Sequence, residues 1–166
     1  MTTSANAVSS LGQLLTPQTI RLRVSSADRI EVVQQAGAML MASGGVDARY
    51  VEAMKRVLVS LGPYMVIVPG VALLHARPED GARRLCMSLL TLDPPVPFGN
   101  PDNDPVTVAV GLAAADNESH IKALAEPAAL LGIQTAMTAI RAATSVEAVL
   151  TCVRAPAPEQ DAGLDR

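Results

Sequence analysis

The chain has 166 residues and a mass of 17.2 kDa, the size of one domain built on one core. With 49% hydrophobic and 17% charged residues it reads as a packed globular chain, which excludes disordered, collagen-like and disulfide-scaffold classes. A net charge of −3 and three aromatic residues, Tyr50, Tyr64 and Phe98, leave neither a basic footprint nor stacking rings for nucleic acid.

Two cysteines, Cys86 and Cys152, are too few for a disulfide framework, and neither sits in a CxxC pair, so a reducing cytoplasm is expected. Met1 to Gly12 lacks a basic start followed by an apolar core, and no uninterrupted apolar run reaches the roughly 18 residues of a spanning helix. The expectation is a protein neither exported nor inserted in a membrane.

In chain order, Ser25 and Ser26 precede a helical stripe of Ile30, Val33, Gly37, Leu40 and Met41, ended by Gly44-Gly45. Asp47 offers an N-cap to a second helix with Val51, Met54, Leu58 and Leu61 on one face, closed by Gly62-Pro63. The period then shortens. Met65 to Val68 and Val71 to Leu74 predict two strand pieces around a Pro69-Gly70 turn, and Leu85 to Leu92 predicts another strand. Pro94-Pro95-Val96-Pro97 lacks three backbone donors and is expected to be a loop, not part of a central strand. Val106 to Leu112 is the clearest strand: Val106, Val108, Val110 and Leu112 share one face, and the smaller Thr107, Ala109 and Gly111 would let a helix approach the other.

Helical composition returns after Asp116-Asn117, with Pro127 expected to split the stretch into a short helix and a segment reaching Ala142. Thr144 or Ser145 can cap a last helix ending near Val153. The expected organisation is a flexible tail over 1–9, one domain over 10–153 and a disordered tail over 154–166. Helices, then strands, then helices argue for a single α/β (α+β) layered domain with one central sheet.

The phosphate loop of nucleotide-binding proteins, the dinucleotide-binding turn, the nucleophile elbow and the zinc helix are all absent from the sequence. What stands out is the placement of the two histidines. His75 ends the apolar run Val71-Ala72-Leu73-Leu74 and precedes the turn signal Pro78-Glu79-Asp80-Gly81. His120 follows Asp116-Asn117-Glu118-Ser119, beyond the Val106 to Leu112 strand and at the start of a helix. If the two strands lie side by side, both rings meet at one edge of the sheet, where α/β proteins build sites. On pattern alone a histidine at a strand end is more often a partly exposed polar residue, and Arg77 more often a surface side chain than a phosphate ligand. Both readings stay open at this stage.

These residues carry a resemblance. The run Tyr50-Val51-Glu52-Ala53-Met54 and the run Gly62 to Gly81 resemble the enzyme IIA domain of the sugar phosphotransferase system, in its mannitol/fructose superfamily, with the ascorbate-type branch closest. Pro95-Val96-Pro97-Phe98-Gly99, Asn103-Asp104-Pro105-Val106 and Leu112 to His120 continue the similarity in order, and it spans residues 10–153. The resemblance implies a mixed β-sheet flanked by helices and a phosphotransferase component that needs no cofactor and no metal. Its phosphoacceptor histidine corresponds to His75, and the histidine that supports the phosphorylated ring corresponds to His120. The implied donor is phospho-HPr and the implied acceptor a cysteine of an enzyme IIB subunit, with a functional link to a membrane IIC subunit; whether the chain forms a homodimer stays open.

Neutral imidazole is nucleophilic at physiological pH, and phosphoryl transfer asks chiefly for positioning and for donors to the equatorial oxygens. Those donors are expected from His120, backbone amides near His75, and Arg77. An apolar rim of Leu73, Leu74 and Phe98 is expected to serve docking. The sequence departs from the family where Leu74 replaces a proline before the active histidine, leaving φ unfixed and adding a backbone donor, and where Pro69 replaces the acidic residue of mannitol-type members. Two other readings accompany this one: a regulatory module of the same fold that binds a transcription factor or kinase, with phosphorylation as a charge switch, and a small-molecule binding domain in which both histidines are structural.

Overall fold

The computed structural model describes residues 10–155, so the tail expected over 1–9 and all but the first two residues of that expected over 154–166 lie outside the described residues. Five strands form one mixed sheet in the order β1-β4-β5-β3-β2, with β1 at Ile20–Val24, β2 at Val66–Val68, β3 at Val71–Leu74, β4 at Cys86–Val96 and β5 at Val106–Ala113. Helices α2 (Arg29–Ala42) and α3 (Ala48–Leu61) cover one face. The other is covered by α1 (Ser10–Leu14), α4 (Asn117–Leu131), α5 (Gln134–Ala142) and α6 (Val146–Arg154).

Because both faces are covered, the inner strands read as continuous apolar runs whose alternate residues enter different cores. Ala72, Leu74, Leu90 and Ala109 pack with Val33, Leu40, Tyr50 and Met54 under α2 and α3. Val71, Leu73, Leu89, Val108 and Val110 pack with Leu11, Leu131, Ile140 and Val149 under the other helices. The small face of β5 does admit a helix: a Cβ on Gly111 would lie 2.6 Å from Ser88 Oγ and 3.2 Å from Ala36 Cβ, so α2 seats directly on the strand. Ser88 Oγ, buried beneath it, donates to Ala36 O at 3.0 Å.

Several sequence expectations are corrected. β1 lies outside the strands that the sequence pattern predicts; its alternation, with Ile20 buried and Arg21 and Arg23 exposed, is that of an edge strand, and it pairs parallel to β4. β4 is an inner strand that runs through Pro94 and Pro95 to Val96. Its ladder with β5 passes from Thr91↔Val108 to Val96↔Val106, so the prolines fall in a bulge where no ladder donor is required. Opposite that bulge Val106 packs in the α2/α3 core, apart from Val108, Val110 and Leu112.

Asp28, not Ser25 or Ser26, caps α2 by accepting from Glu31 N, and Met41 and Leu61 at the helix ends are exposed. Pro127 lies buried within α4 without ending it. A proline forgoes only its own bond to the preceding turn, and the helix ends where the Gly132 cap N–H reaches Ala128 O and Leu130 O. Arg154, expected to open the C-terminal tail, is the last residue of α6 and donates to Gly12 O and Leu15 O, tying α6 to α1.

Candidate active site

β3 and β5 run parallel in unbroken register from Val71↔Val108 to Leu74↔Gly111, so their C-terminal ends meet at one edge of the sheet. His75 is the first residue beyond β3. From β5 the chain turns through Ala114 to Asp116, which caps α4 by accepting from Ser119 N at 2.8 Å and Ser119 Oγ at 3.1 Å. The first turn of α4 then delivers His120. The two imidazoles, distant in sequence, stand with ring centroids 5.4 Å apart and planes inclined by 58°. Both are half-buried.

Nδ1 of His75 lies 3.1 Å from Leu73 O. A carbonyl can only accept, so this contact selects the tautomer with the proton on Nδ1 and leaves Nε2 with a free lone pair. Burial holds the His75 pKa below the usual 6.5, the Leu73 carbonyl pulls it back up, and the neighbouring His120 lowers it further. Burial also lowers the pKa of His120, against the carboxylate of Glu79, which raises it. Both rings are therefore neutral at physiological pH. Nδ1 of His120 is buried with no hydrogen-bond partner.

Leu74 is buried in β3 opposite Gly111, and the ladder pins the backbone just ahead of His75. Beyond it, Tyr50 from α3 is fully buried, and its Oη accepts from Ala76 N at 3.0 Å and lies 2.7 Å from Leu112 O and 3.2 Å from Ala76 O. Arg77 N donates to Asp80 Oδ2 at 3.1 Å. The amides of Ala76 and Arg77 are thus engaged within the chain. The Arg77 side chain is exposed, two residues along the loop from His75.

The expected apolar rim is also corrected: Leu73, Leu74 and Phe98 are buried in the cores, because the strand residues alternate inward and Phe98 sits in the loop before β5, at the other end of the sheet. Exposed apolar side chains at the histidine end include Ile121, next to His120 in sequence, and Leu85, just ahead of Cys86, which pairs with Ala113. A cleft of about 430 Å³ between α3 and the loop after His75 is lined by Ala48, Arg49, Glu52, Arg56, Glu79 and Asp80. Neither Tyr50 nor Glu79 carries a site signal in the sequence, since the phenol's three partners and the field of Glu79 at His120 leave no local pattern.

Among the described residues no group of three or more His, Cys, Asp and Glu side chains is placed to hold a metal ion, and no single helix is long and apolar enough to cross a membrane. Burial pushes the Cys86 thiol up to about 11, and Cys152 is likewise raised, so neither carries an appreciable thiolate at neutral pH.

A mixed sheet between helical layers, with two imidazoles converging at the ends of two parallel strands, is the architecture of an enzyme IIA domain. The chain belongs to the family described as phosphoenolpyruvate-dependent sugar phosphotransferase system, EIIA 2, whose model matches residues 13–155. It is a phosphotransferase component on that ground. The ascorbate-specific PTS system EIIA component of Escherichia coli K12 is 38% identical over 103 residues, 62% of this chain and 67% of that protein. Among solved structures, the mannitol-specific cryptic phosphotransferase enzyme IIA CmtB from Escherichia coli superposes with a TM-score of 0.77 at 31% identity, covering 87% of this chain and 97% of that one. The complex of enzyme IIA mannitol with phosphorylated enzyme IIB mannitol from Escherichia coli gives a TM-score of 0.76 at 26% identity, over 84% of this chain and 96% of the other.

Proposed function

We propose that this protein carries a phosphoryl group on His75, taking it from phospho-HPr and passing it to a cysteine of an enzyme IIB subunit, in the cytoplasm, for uptake of a sugar acid of the ascorbate type through a membrane IIC partner. The observation that carries the reading is the pairing of the two rings, with Nδ1 of His75 committed to Leu73 O and Nε2 left as the nucleophile. As the Nε2 lone pair bonds to phosphorus, the P–N bond to the donor imidazole breaks and its electron pair returns to the donor ring. The Leu73 carbonyl holds the Nδ1 proton throughout and stabilises the positive charge the phosphorylated ring acquires. His120 acts as an N–H donor to the equatorial oxygens, and Arg77, exposed and free to swing, adds a cation.

Docking of two successive partners on one face is supported by the exposed Ile121 next to His120, by the exposed Leu85 at the same end of the sheet and by the charged cleft under α3. The relatives that support an ascorbate-type substrate are specific for it by name, while Pro69 stands where mannitol-type members carry an acid. Incubation with phosphoenolpyruvate, enzyme I and HPr is expected to place one acid-labile phosphate on His75, to leave a His75→Gln variant unlabelled, and to pass label to a IIB cysteine. Absence of labelling with a cognate HPr would refute the carrier role; label that arrives and is never passed on would favour the regulatory module.

A further inference from the structure

The β3–β5 ladder ends at Leu74↔Gly111, one residue short of His75. Beyond that pair the two chains part, one toward Ala76 and Arg77, the other toward Asp116 and α4. A backbone amide and a carbonyl are left facing each other in a buried region, where neither reaches water: Ala76 and Leu112 are 2% and 0% exposed. The phenol of Tyr50 fills this gap. It accepts from Ala76 N at 3.0 Å and, with its single proton, donates to Leu112 O at 2.7 Å, the shorter of its two carbonyl contacts.

We infer that Tyr50 is a positioning residue for the phosphorelay: its hydroxyl replaces a missing ladder rung and fixes the separation of the two segments that carry His75 and His120. The inference rests on the carrier reading above, which assigns those rings their roles. Ala76 is bonded covalently to His75, and Leu112 leads through a short turn to the helix cap that orients His120. A shift of either segment changes the 5.4 Å spacing of the rings, and Tyr50 is the side chain hydrogen-bonded to both. α3 is itself held to the loop: Asp47 N donates to Gly81 O at 3.1 Å, and Gly81, at φ +125°, leaves a Cβ no room, since one would lie 2.4 Å from Asp47 Oδ1 and 3.1 Å from Tyr50 N. The phenol therefore enters from a fixed helix end, and burial raises its pKa so that it keeps its proton throughout the physiological range.

Tyr50→Phe keeps the ring and removes the hydroxyl. The folded variant is expected to accept phosphate from phospho-HPr roughly ten- to hundredfold more slowly, with the pH midpoint of acceptance moved and the imidazole resonances of both His75 and His120 displaced in NMR spectra. A lowered melting temperature with a wild-type rate, an unmoved pH profile and unmoved ring resonances would assign Tyr50 to packing alone and overturn the inference. Should the wild-type chain itself take no phosphate, the carrier reading falls, while the ring resonances still report whether the hydroxyl holds the two histidines. If Tyr50→Phe does not fold, the wild-type chain decides by hydrogen exchange: the Ala76 amide, outside any ladder, is expected to be protected like the amides of β3, and exchange at a loop rate overturns the clamp.

Discussion

Replacing His120 by alanine separates chemistry from folding. In the structure Nδ1 of His120 has no partner, so truncation forfeits no hydrogen bond at that nitrogen; with the ring half-exposed, the folding cost is about 1 kcal/mol or less. For a chain of this size that lowers Tm by roughly 2–4 °C. The catalytic loss is larger. A hydrogen bond to a charged group contributes about 1.5–3 kcal/mol, so losing one N–H donor to the phosphoryl oxygens slows acceptance by roughly 10- to 150-fold at about 1.36 kcal/mol per decade. Removing the neighbouring ring also lifts one of the influences that lowers the His75 pKa and opens its surroundings to water. The pH midpoint of acceptance, below 6.5 in the wild type, moves up toward 6.5. Rapid-quench measurement of label transfer from phospho-HPr across pH, with calorimetry on the same samples, reads all three quantities. A wild-type rate in a folded His120→Ala variant would refute the donor role, and a rate loss matched by gross destabilisation would make the ring structural.

Stability should fall as acid is added. Both histidines have folded-state pKa values lowered by burial, so below 6.5 the unfolded chain binds more protons and the stabilisation, complete above 6.5, drains away toward the folded values. Urea midpoints at pH 7.5 and 5.5 are expected to differ less for His75→Gln than for the wild type; equal differences contradict the assignment. Asp104, whose carboxylate accepts from Phe98 N, Gly99 N and Asn100 N, orders the loop before β5, and Asp104→Ala is expected to cost about 2–4 kcal/mol with phosphate acceptance intact, because the loop lies at the far end of the sheet. Gly81→Ala should both destabilise, by at least about 1 kcal/mol, and slow acceptance, through the clash with Asp47 and Tyr50 N. Arg23, on edge strand β1 at φ +54°, is the converse case: Arg23→Gly relieves a left-handed backbone and should raise stability by about 0.5–1 kcal/mol in thermal unfolding.

Strands β2, β3 and β5, most of β4, the second helix and the two histidines at element ends were legible because their signals are local. Apolar runs of four to eight residues, Asp47 before a three-four-three stripe, and Pro69-Gly70 in a turn depend on little beyond their own neighbours. Where the sequence misled, a distant partner had changed the rule. Pro94 and Pro95 extend an inner strand because a bulge excuses their missing donors, and Leu73 and Leu74 are buried because helices cover both faces of the sheet. Pro127 sits inside a helix whose end is decided by Gly132.

What the chain order alone determined is that each imidazole follows a strand, at the edge where a sheet opens to solvent. That the two strands are neighbours, that they run parallel, and that a buried tyrosine from a third element bridges their diverging ends were decided only by the tertiary structure. The physical reason is reach: periodicity and capping report on a few residues of chain, whereas the geometry of a phosphoryl site depends on hydrogen bonds between segments tens of residues apart.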